Sequence, residues 1–129
     1  MADRLVMDTC VLVEYENGES DATAYVNLFG AKGLLVVHPV SVMELLDGVH
    51  DLRHLTQTLA LIAAFPRVPV KNADHDLAVQ FMVNYRLSHN IDWPDCLIAA
   101  TCIRLGLPLV TRNDKHFRAI RGLRVVRPY

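Results

Sequence analysis

The sequence predicts an α/β domain built on a mainly parallel sheet with helices on both faces. Three observations predict it. The strand candidates are short, continuous apolar runs and not alternating ones, which is how strands buried on both faces read. Helical stretches lie between them, so strand and helix alternate in the order of βαβ units. Gly30, Gly33 and Gly106 stand where those helices should stop.

The elements follow in chain order. Arg4-Leu5-Val6-Met7 is the first strand candidate and runs into Asp8-Thr9, a pair that can open a helix. A helical stretch spans Ala22 to Phe29. Leu34-Leu35-Val36-Val37 is the second strand, leading through His38-Pro39 into a helix start at Ser41-Val42-Met43-Glu44-Leu45-Leu46. Pro39 has no N–H to give a ladder, so it cannot continue a central strand. Helices are expected over Met43 to Val49, Leu52 to Ala64, Ala73 to Leu87 and Asp95 to Leu105. In the third of these, Leu77, Phe81 and Tyr85 recur every fourth residue and mark one buried face. Pro66 to Val70 reads as a loop or a short extra strand. Leu107 to Val110 and Leu123 to Val126 are the last two strand candidates. No linker, internal repeat or low-complexity tract breaks the chain, so residues 1–129 read as one domain.

Composition narrows the function classes. With 129 residues, 52% of them hydrophobic, the chain buries roughly two-thirds of its unfolded surface on folding, and disorder is excluded. Apolar runs such as Leu59 to Phe65 fall far short of the ~20 residues a membrane helix needs. Met1-Ala2-Asp3-Arg4 begins no secretory signal. Cys10, Cys96 and Cys102 form no CxxC pair, which argues against a disulfide framework or a zinc knuckle. The expected location is therefore the cytoplasm, with reduced thiols and no membrane partner.

Net charge is −1, but its distribution is uneven. Residues 1–100 hold 13 acids and 6 bases; residues 101–129 hold one acid, Asp114, and 7 bases. An asymmetry of that size has two readings, a solvated surface or an anionic partner near the C-terminal end. Ten of the 13 bases are Arg, the side chain suited to bidentate phosphate or carboxylate contacts.

Four acids fall at telling places. Asp8 follows the first strand, Glu44 begins the helix after the second, Asp95 opens a helix, and Asp114 follows the third strand. Each has a structural role open to it. Asp8 or Thr9 fits an N-cap, Ser41 and Glu44 have capping-box spacing, Asp92 with Pro94 fits a helix start, and Asn113 fits the cap of a last short helix. As a set they point elsewhere. The carboxyl ends of parallel strands share one edge, where ligands bind. Carboxylates ~5 Å apart at an effective dielectric near 20 repel by on the order of 3 kcal/mol per pair. A divalent cation relieves that repulsion, and oxygen ligands without a His or Cys cluster favour Mg²⁺ or Mn²⁺ over zinc.

At these residues the chain resembles the PIN-domain nucleases, and in particular the VapC-type toxins of toxin–antitoxin pairs. The matching pieces are Val6-Met7-Asp8-Thr9, Ser41-Val42-Met43-Glu44-Leu45, Pro94-Asp95-Cys96-Leu97-Ile98-Ala99-Ala100-Thr101 and Thr111-Arg112-Asn113-Asp114-Lys115-His116-Phe117. They occur in the family's order and span nearly the whole chain. The resemblance implies a three-layer α/β/α sandwich on a mainly parallel sheet of about five strands. It implies Mg²⁺- or Mn²⁺-dependent cleavage of RNA, with water attacking in line with the leaving oxygen, no covalent enzyme intermediate, and 5′-phosphate and 3′-hydroxyl ends. Asp8 and Asp95 map onto the core metal ligands, and Glu44 onto a ligand held directly or through water. The family often has Asp two residues after the threonine, where this chain has Asn113; the neighbouring Asp114 is the candidate for that fourth role, with Asn113 able to orient water. Thr9 and Thr111 map onto supporting hydroxyls, and Asp92 onto an extra ligand or a cap. The resemblance further implies a homodimer held inactive by a small VapB-type antitoxin whose tail covers the acidic crevice.

Arg112 and Lys115 flank the fourth acid position and are the candidate RNA phosphate contacts. Arg118, Arg121, Arg124 and Arg127 read as surface residues. Trp93 reads as a core or interface aromatic in preference to a base-stacking platform. His116 reads as a positioning or surface residue. Two alternatives to the toxin are a PIN-domain nuclease of RNA processing and a PIN module that binds RNA or a partner without cutting, the latter favoured only by Asn113. Phosphotransfer on Asp8 is discounted, because Cys10 stands where a haloacid-dehalogenase-type phosphatase needs its second Asp, and no receiver-domain pattern is present.

Overall fold

The computed structural model describes residues 3–129. Its elements are β1 (Leu5–Met7), α1 (Thr9–Glu16), α2 (Ser20–Ala31), β2 (Leu35–Val37), α3 (Pro39–Asp47), α4 (Leu52–Ala63), α5 (Asn72–His89), α6 (Trp93–Leu105), β3 (Leu109–Val110), α7 (Asp114–Phe117) and β4 (Val125–Val126). The strands form one all-parallel sheet in the order β2-β1-β3-β4.

Why the strand runs are apolar throughout is visible in their two faces. Val6, Val36 and Leu109 belong to a core that includes Phe81, Ile98 and Phe117. Their neighbours Met7, Leu35, Val37 and Val110 belong to a second core with Val11, Val26, Leu45 and Ile62. Successive residues of a strand point to opposite faces, so α5, α6 and α7 cover one face, while α1, α2 and α4 cover the other. This is the α/β/α sandwich.

The expected sheet of about five strands has four among the described residues. Beside β2 a fifth position is occupied by a single parallel bridge from Val37 to Arg67. Val37 N–H donates to the Pro66 carbonyl and Val68 N–H to the Val37 carbonyl, each at 2.9 Å. Pro66 has no N–H to give to β2 on one side, and on the other β2 has already ended before Pro39, so the ladder stops after one rung.

Three local expectations are corrected. Helix α3 starts at Pro39, not at Ser41, because the His38 imidazole accepts from Val40 N–H at 3.0 Å and caps it. Ser41 and Glu44 therefore lie inside the helix and form no capping box. Gly30 does not stop α2, which continues to Ala31. Gly106 does stop α6, with a left-handed φ of +67° that a side chain would strain. Asp92 occupies the N-cap position of α6 but makes no capping bond; its carboxylate pairs with Arg86 at 2.7 Å.

A buried polar chain joins α3, α5 and α6. His38 Nδ1 is the acceptor for Val40, so Nε2 carries the proton and donates to Thr101 Oγ1 at 2.9 Å. The Thr101 hydroxyl donates to Asp74 Oδ2 at 2.9 Å, and Arg104 closes the chain on both Asp74 oxygens at 2.6 and 3.0 Å. Burial holds the His38 imidazole down to a pKa of about 4, against the pull of the Asp74 charge. Its neutral ring fixes where α3 begins, at Pro39, and so where Glu44 falls along the helix.

Candidate active site

The chain leaves β1 for β2 on one side and returns to β3 on the other. The strand order therefore reverses between β1 and β3, and the carboxyl ends of those two strands diverge into a crevice. Asp8 follows β1 and Thr111 follows β3. A cavity of about 430 Å³ opens there, lined by Asp8, Thr9, Cys10, Val13, Glu14, Glu44, Asp92, Pro94, Asp95 and Asn113.

Five carboxylates line it, and they are of two kinds. Glu14 is neutralised by Arg112 at 2.8 Å and Asp92 by Arg86 at 2.7 Å. Asp8, Glu44 and Asp95 have no cationic partner among the described residues. These are the three acids that the sequence singles out most firmly, and the fold brings them to one cavity from β1, α3 and α6.

Their surroundings differ. Asp8 is buried and accepts from Thr9 N–H at 2.9 Å, from the Thr111 hydroxyl at 2.7 Å and from the Cys10 thiol at 3.3 Å. Glu44 accepts from the Thr9 hydroxyl at 2.8 Å, and the Thr9 and Ser41 oxygens are 2.9 Å apart, so Thr9 ties α1 to α3. Burial raises the Glu44 pKa, and the charges of Asp8 and Asp92 add to the rise against the Thr9 bond. Asp95 receives no side-chain bond from the described residues. Burial pushes its pKa up to about 7, and repulsion from Asp8, Glu44 and Asp92 contributes to that shift.

Of the two candidates for the fourth position, Asn113 is the one that lines the cavity. Its N–H donates to Thr111 Oγ1 at 3.0 Å. Asp114 is absent from the lining. Its oxygens are taken by Arg118 at 2.6 Å and Arg127 at 2.9 Å. Burial alone would raise its pKa, but those two guanidinium groups outweigh burial and hold it below the ordinary value. Asp114 is thus paired with two cations, unlike Asp8, Glu44 and Asp95.

The basic C-terminal stretch is mostly paired within the molecule. Arg104 meets Asp74, Arg112 meets Glu14, Arg118 and Arg127 meet Asp114, and Arg124 meets Asp3. Lys115 and His116 are exposed on α7. Trp93 is exposed and lies outside the cavity, so of the expectation of a core or interface aromatic the core alternative does not hold. Two lining residues, Val13 and Glu14, are not singled out by the sequence reading, whereas Cys10 is expected as a small buried residue close to Asp8. Glu14 sits four residues after Cys10 on α1, on one face of the helix that Asp8 caps, and that spacing is the available signal. Burial and the Asp8 charge push the Cys10 thiol up to about 11, so it is protonated at neutral pH and donates.

Comparison with known proteins agrees with this geometry. The PIN domain family model matches residues 5–123. The chain is 29% identical to a protein named Ribonuclease VapC from Rickettsia bellii, over 95% of this chain and 94% of that one. It is 26% identical to Ribonuclease VapC1 from Rickettsia felis, with the same coverage. Among solved structures it superposes on a DNA-bound VapBC from Salmonella typhimurium with a TM-score of 0.79 at 20% identity, covering 97% of this chain and 98% of that one. A toxin–antitoxin complex from Klebsiella pneumoniae gives 0.77 at 24% identity, again over 97% and 98%.

Proposed function

The chain belongs to the PIN-domain family, and from that premise we propose that it is a metal-dependent endoribonuclease, the toxin of a VapBC-type toxin–antitoxin pair. The observation that carries this reading is the set of three uncompensated carboxylates, Asp8, Glu44 and Asp95, on one cavity at the reversal of strand order. The donor set is all oxygen and fits Mg²⁺ or Mn²⁺. Among the described residues no three His, Cys, Asp or Glu side chains stand close enough together to hold an ion as a group. A cage is not required, because Mg²⁺ keeps several of its own waters and takes only one or two protein carboxylates directly.

In this reading Asp8 and Asp95 hold the ion and Glu44 supports it directly or through water. When bound, the ion neutralises charge developing on the phosphate and lowers the pKa of water. Thr111 and Thr9 keep the Asp8 and Glu44 carboxylates aimed. Asn113 orients the attacking water, and the acid cluster accepts its proton. Arg112 and Lys115 meet backbone phosphates of the RNA. The same uncompensated acids suit an Arg from a VapB-type antitoxin tail, which would compete with the ion and silence the site.

The test is cleavage of total RNA by the purified chain with Mg²⁺, Mn²⁺ or EDTA, beside Asp8→Asn and Asp95→Asn. Discrete cuts that need the metal and vanish in both variants support the reading. The amide of Asn113 in place of a fourth carboxylate favours a second reading, a module that binds RNA without cutting it. Retention of uncut RNA by the folded, antitoxin-free chain in Mn²⁺ would select that one. Growth arrest on expression, relieved by a cognate antitoxin, separates a toxin from a nuclease of RNA processing.

A further inference from the structure

The loop after β3 carries Arg112 and Asn113, and residues 127–129 hold it from outside. Arg127 Nη1 donates to the Arg112 carbonyl at 3.1 Å and to Asp114 Oδ1 at 2.9 Å. Tyr129 lies against the Arg112 guanidinium, with Cζ 5.0 Å from the ring centroid. Its hydroxyl donates to Glu14 Oε1 at 3.2 Å, while Glu14 Oε2 accepts from Arg112 Nη1 at 2.8 Å. Ring, carboxylate and guanidinium form a closed triangle. The Tyr129 ring is itself backed edge-on by Tyr25, 6.3 Å away. Arg112 Nε is buried without a partner, so the side chain is held by Glu14 and Tyr129 and not by its own loop.

We propose that Tyr129 and Arg127 are positioning residues for RNA cleavage: they fix the Thr111–Asp114 loop so that Arg112 meets a substrate phosphate at the cavity mouth while Asn113 faces the cavity. The proposal rests on the ribonuclease reading above. An unrestrained arginine loses rotamer freedom when it contacts a phosphate, and one already pinned has lost that freedom on folding. The Arg112 side chain nevertheless remains 37% exposed beside Glu14, a residue of the cavity wall. Asp114 gains a role here as the anchor on which Arg118 and Arg127 converge.

Three variants of the full chain test this. Tyr129→Leu removes both ring and hydroxyl, Arg127→Gln releases the loop from its other side, and Tyr129→Phe keeps the ring over Arg112. With a defined RNA and Mn²⁺, Tyr129→Leu and Arg127→Gln should each raise KM about five- to tenfold with kcat changed less than about twofold, since a lost ground-state contact acts on binding. Tyr129→Phe should stay near the wild type. Amide hydrogen exchange over residues 111–117 should quicken in the first two variants, without RNA or metal. Unchanged KM and unchanged loop exchange overturn the proposal. So does faster exchange spread through β1 and α6, which would mark a general loss of structure. Should the wild type cut no RNA, the ribonuclease reading fails by itself. Loop exchange and RNA affinity by fluorescence anisotropy then decide the clamp: weaker binding with a looser loop keeps it, and unchanged values overturn it.

Discussion

Thr111 Oγ1 donates to Asp8 Oδ2 at 2.7 Å across 103 residues of sequence. The bond ties the carboxyl end of β3 to that of β1, the two strands between which the sheet order reverses. It also separates the roles of two acids that look alike in sequence. Asp8 is held by three donors, whereas the Asp95 carboxylate accepts from none among the described residues and is pushed toward its neutral form. The site thus combines one fixed carboxylate with one whose charge is unfavourable until a cation arrives.

Replacing Thr111 should therefore damage both stability and metal binding. Thr111→Val keeps the shape but leaves a buried carboxylate short of a donor, at a cost of about 2 kcal/mol. Urea unfolding should show that loss, and Mn²⁺ titration should show weaker binding. Thr111→Ser should restore most of both. Equal stability and equal Mn²⁺ affinity in Thr111→Val would mean that the bond does not orient Asp8.

Asp95 gives a pH-dependent prediction with a definite sign. Its pKa in the folded chain is raised to about 7 from the ordinary 3.8. The folded state therefore binds the proton more tightly, and stability falls as pH rises from about 4 through 7. In EDTA, Asp95→Asn should be more stable than the wild type at pH 8, by on the order of 3 kcal/mol after allowance for the open mouth of the site. Near pH 4 the difference should vanish. Thermal melts at the two pH values check it. A variant less stable at pH 8 would mean that Asp95 is not strained by its neighbours.

Much of this was legible in the sequence because the signals were local. Apolar runs ending in Asp8 or Thr111, and Pro94 in the first turn before Asp95, mark junctions that the parallel sheet brings to one edge. The errors arose where tertiary contacts outrank local chemistry. Ser41 and Glu44 have the spacing of a capping box, but His38 is fixed by Thr101 and Asp74 and starts the helix two residues earlier. Asp114 has the charge for a ligand, and its pairing with Arg127, 13 residues on, is not visible in the local pattern. The partner of Arg112 is Glu14, 98 residues away, and nothing in either segment's own pattern announces that pairing.

His38 predicts an acid weakness independent of the acid cluster. Its pKa falls from the ordinary 6.5 to about 4 in the folded chain, chiefly through burial. The unfolded chain then binds the proton more tightly, and the stability present above pH 6.5 is lost as pH falls toward 4, by about 3 kcal/mol. Asp95 acts in the opposite direction over the same range, so the contrast is between variants and not along one curve. His38→Asn, which does not titrate and loses the bond to Thr101, should be clearly less stable than the wild type at pH 7.5. The gap should narrow at pH 4.5. Urea midpoints at both pH values test this, and a gap independent of pH would refute it.

Trp93 carries the last prediction, self-association. It stands 59% exposed between two apolar clefts of about 280 and 330 Å³, one formed with Val40 and Met43 of α3, the other with Val79 and Met82 of α5. Met43 and Val79 are themselves 57% and 62% exposed. Burying the part of the ring still exposed, about 90–150 Å², contributes about 2–4 kcal/mol at 25 cal/mol/Å². A two-fold contact between copies would count that burial twice. The wild type should therefore sediment as a dimer at micromolar concentration. Trp93→Asp should sediment as a monomer with its melting temperature nearly unchanged, because Trp93 belongs to neither core. A wild type that remains monomeric at about 100 μM would overturn self-association through this face.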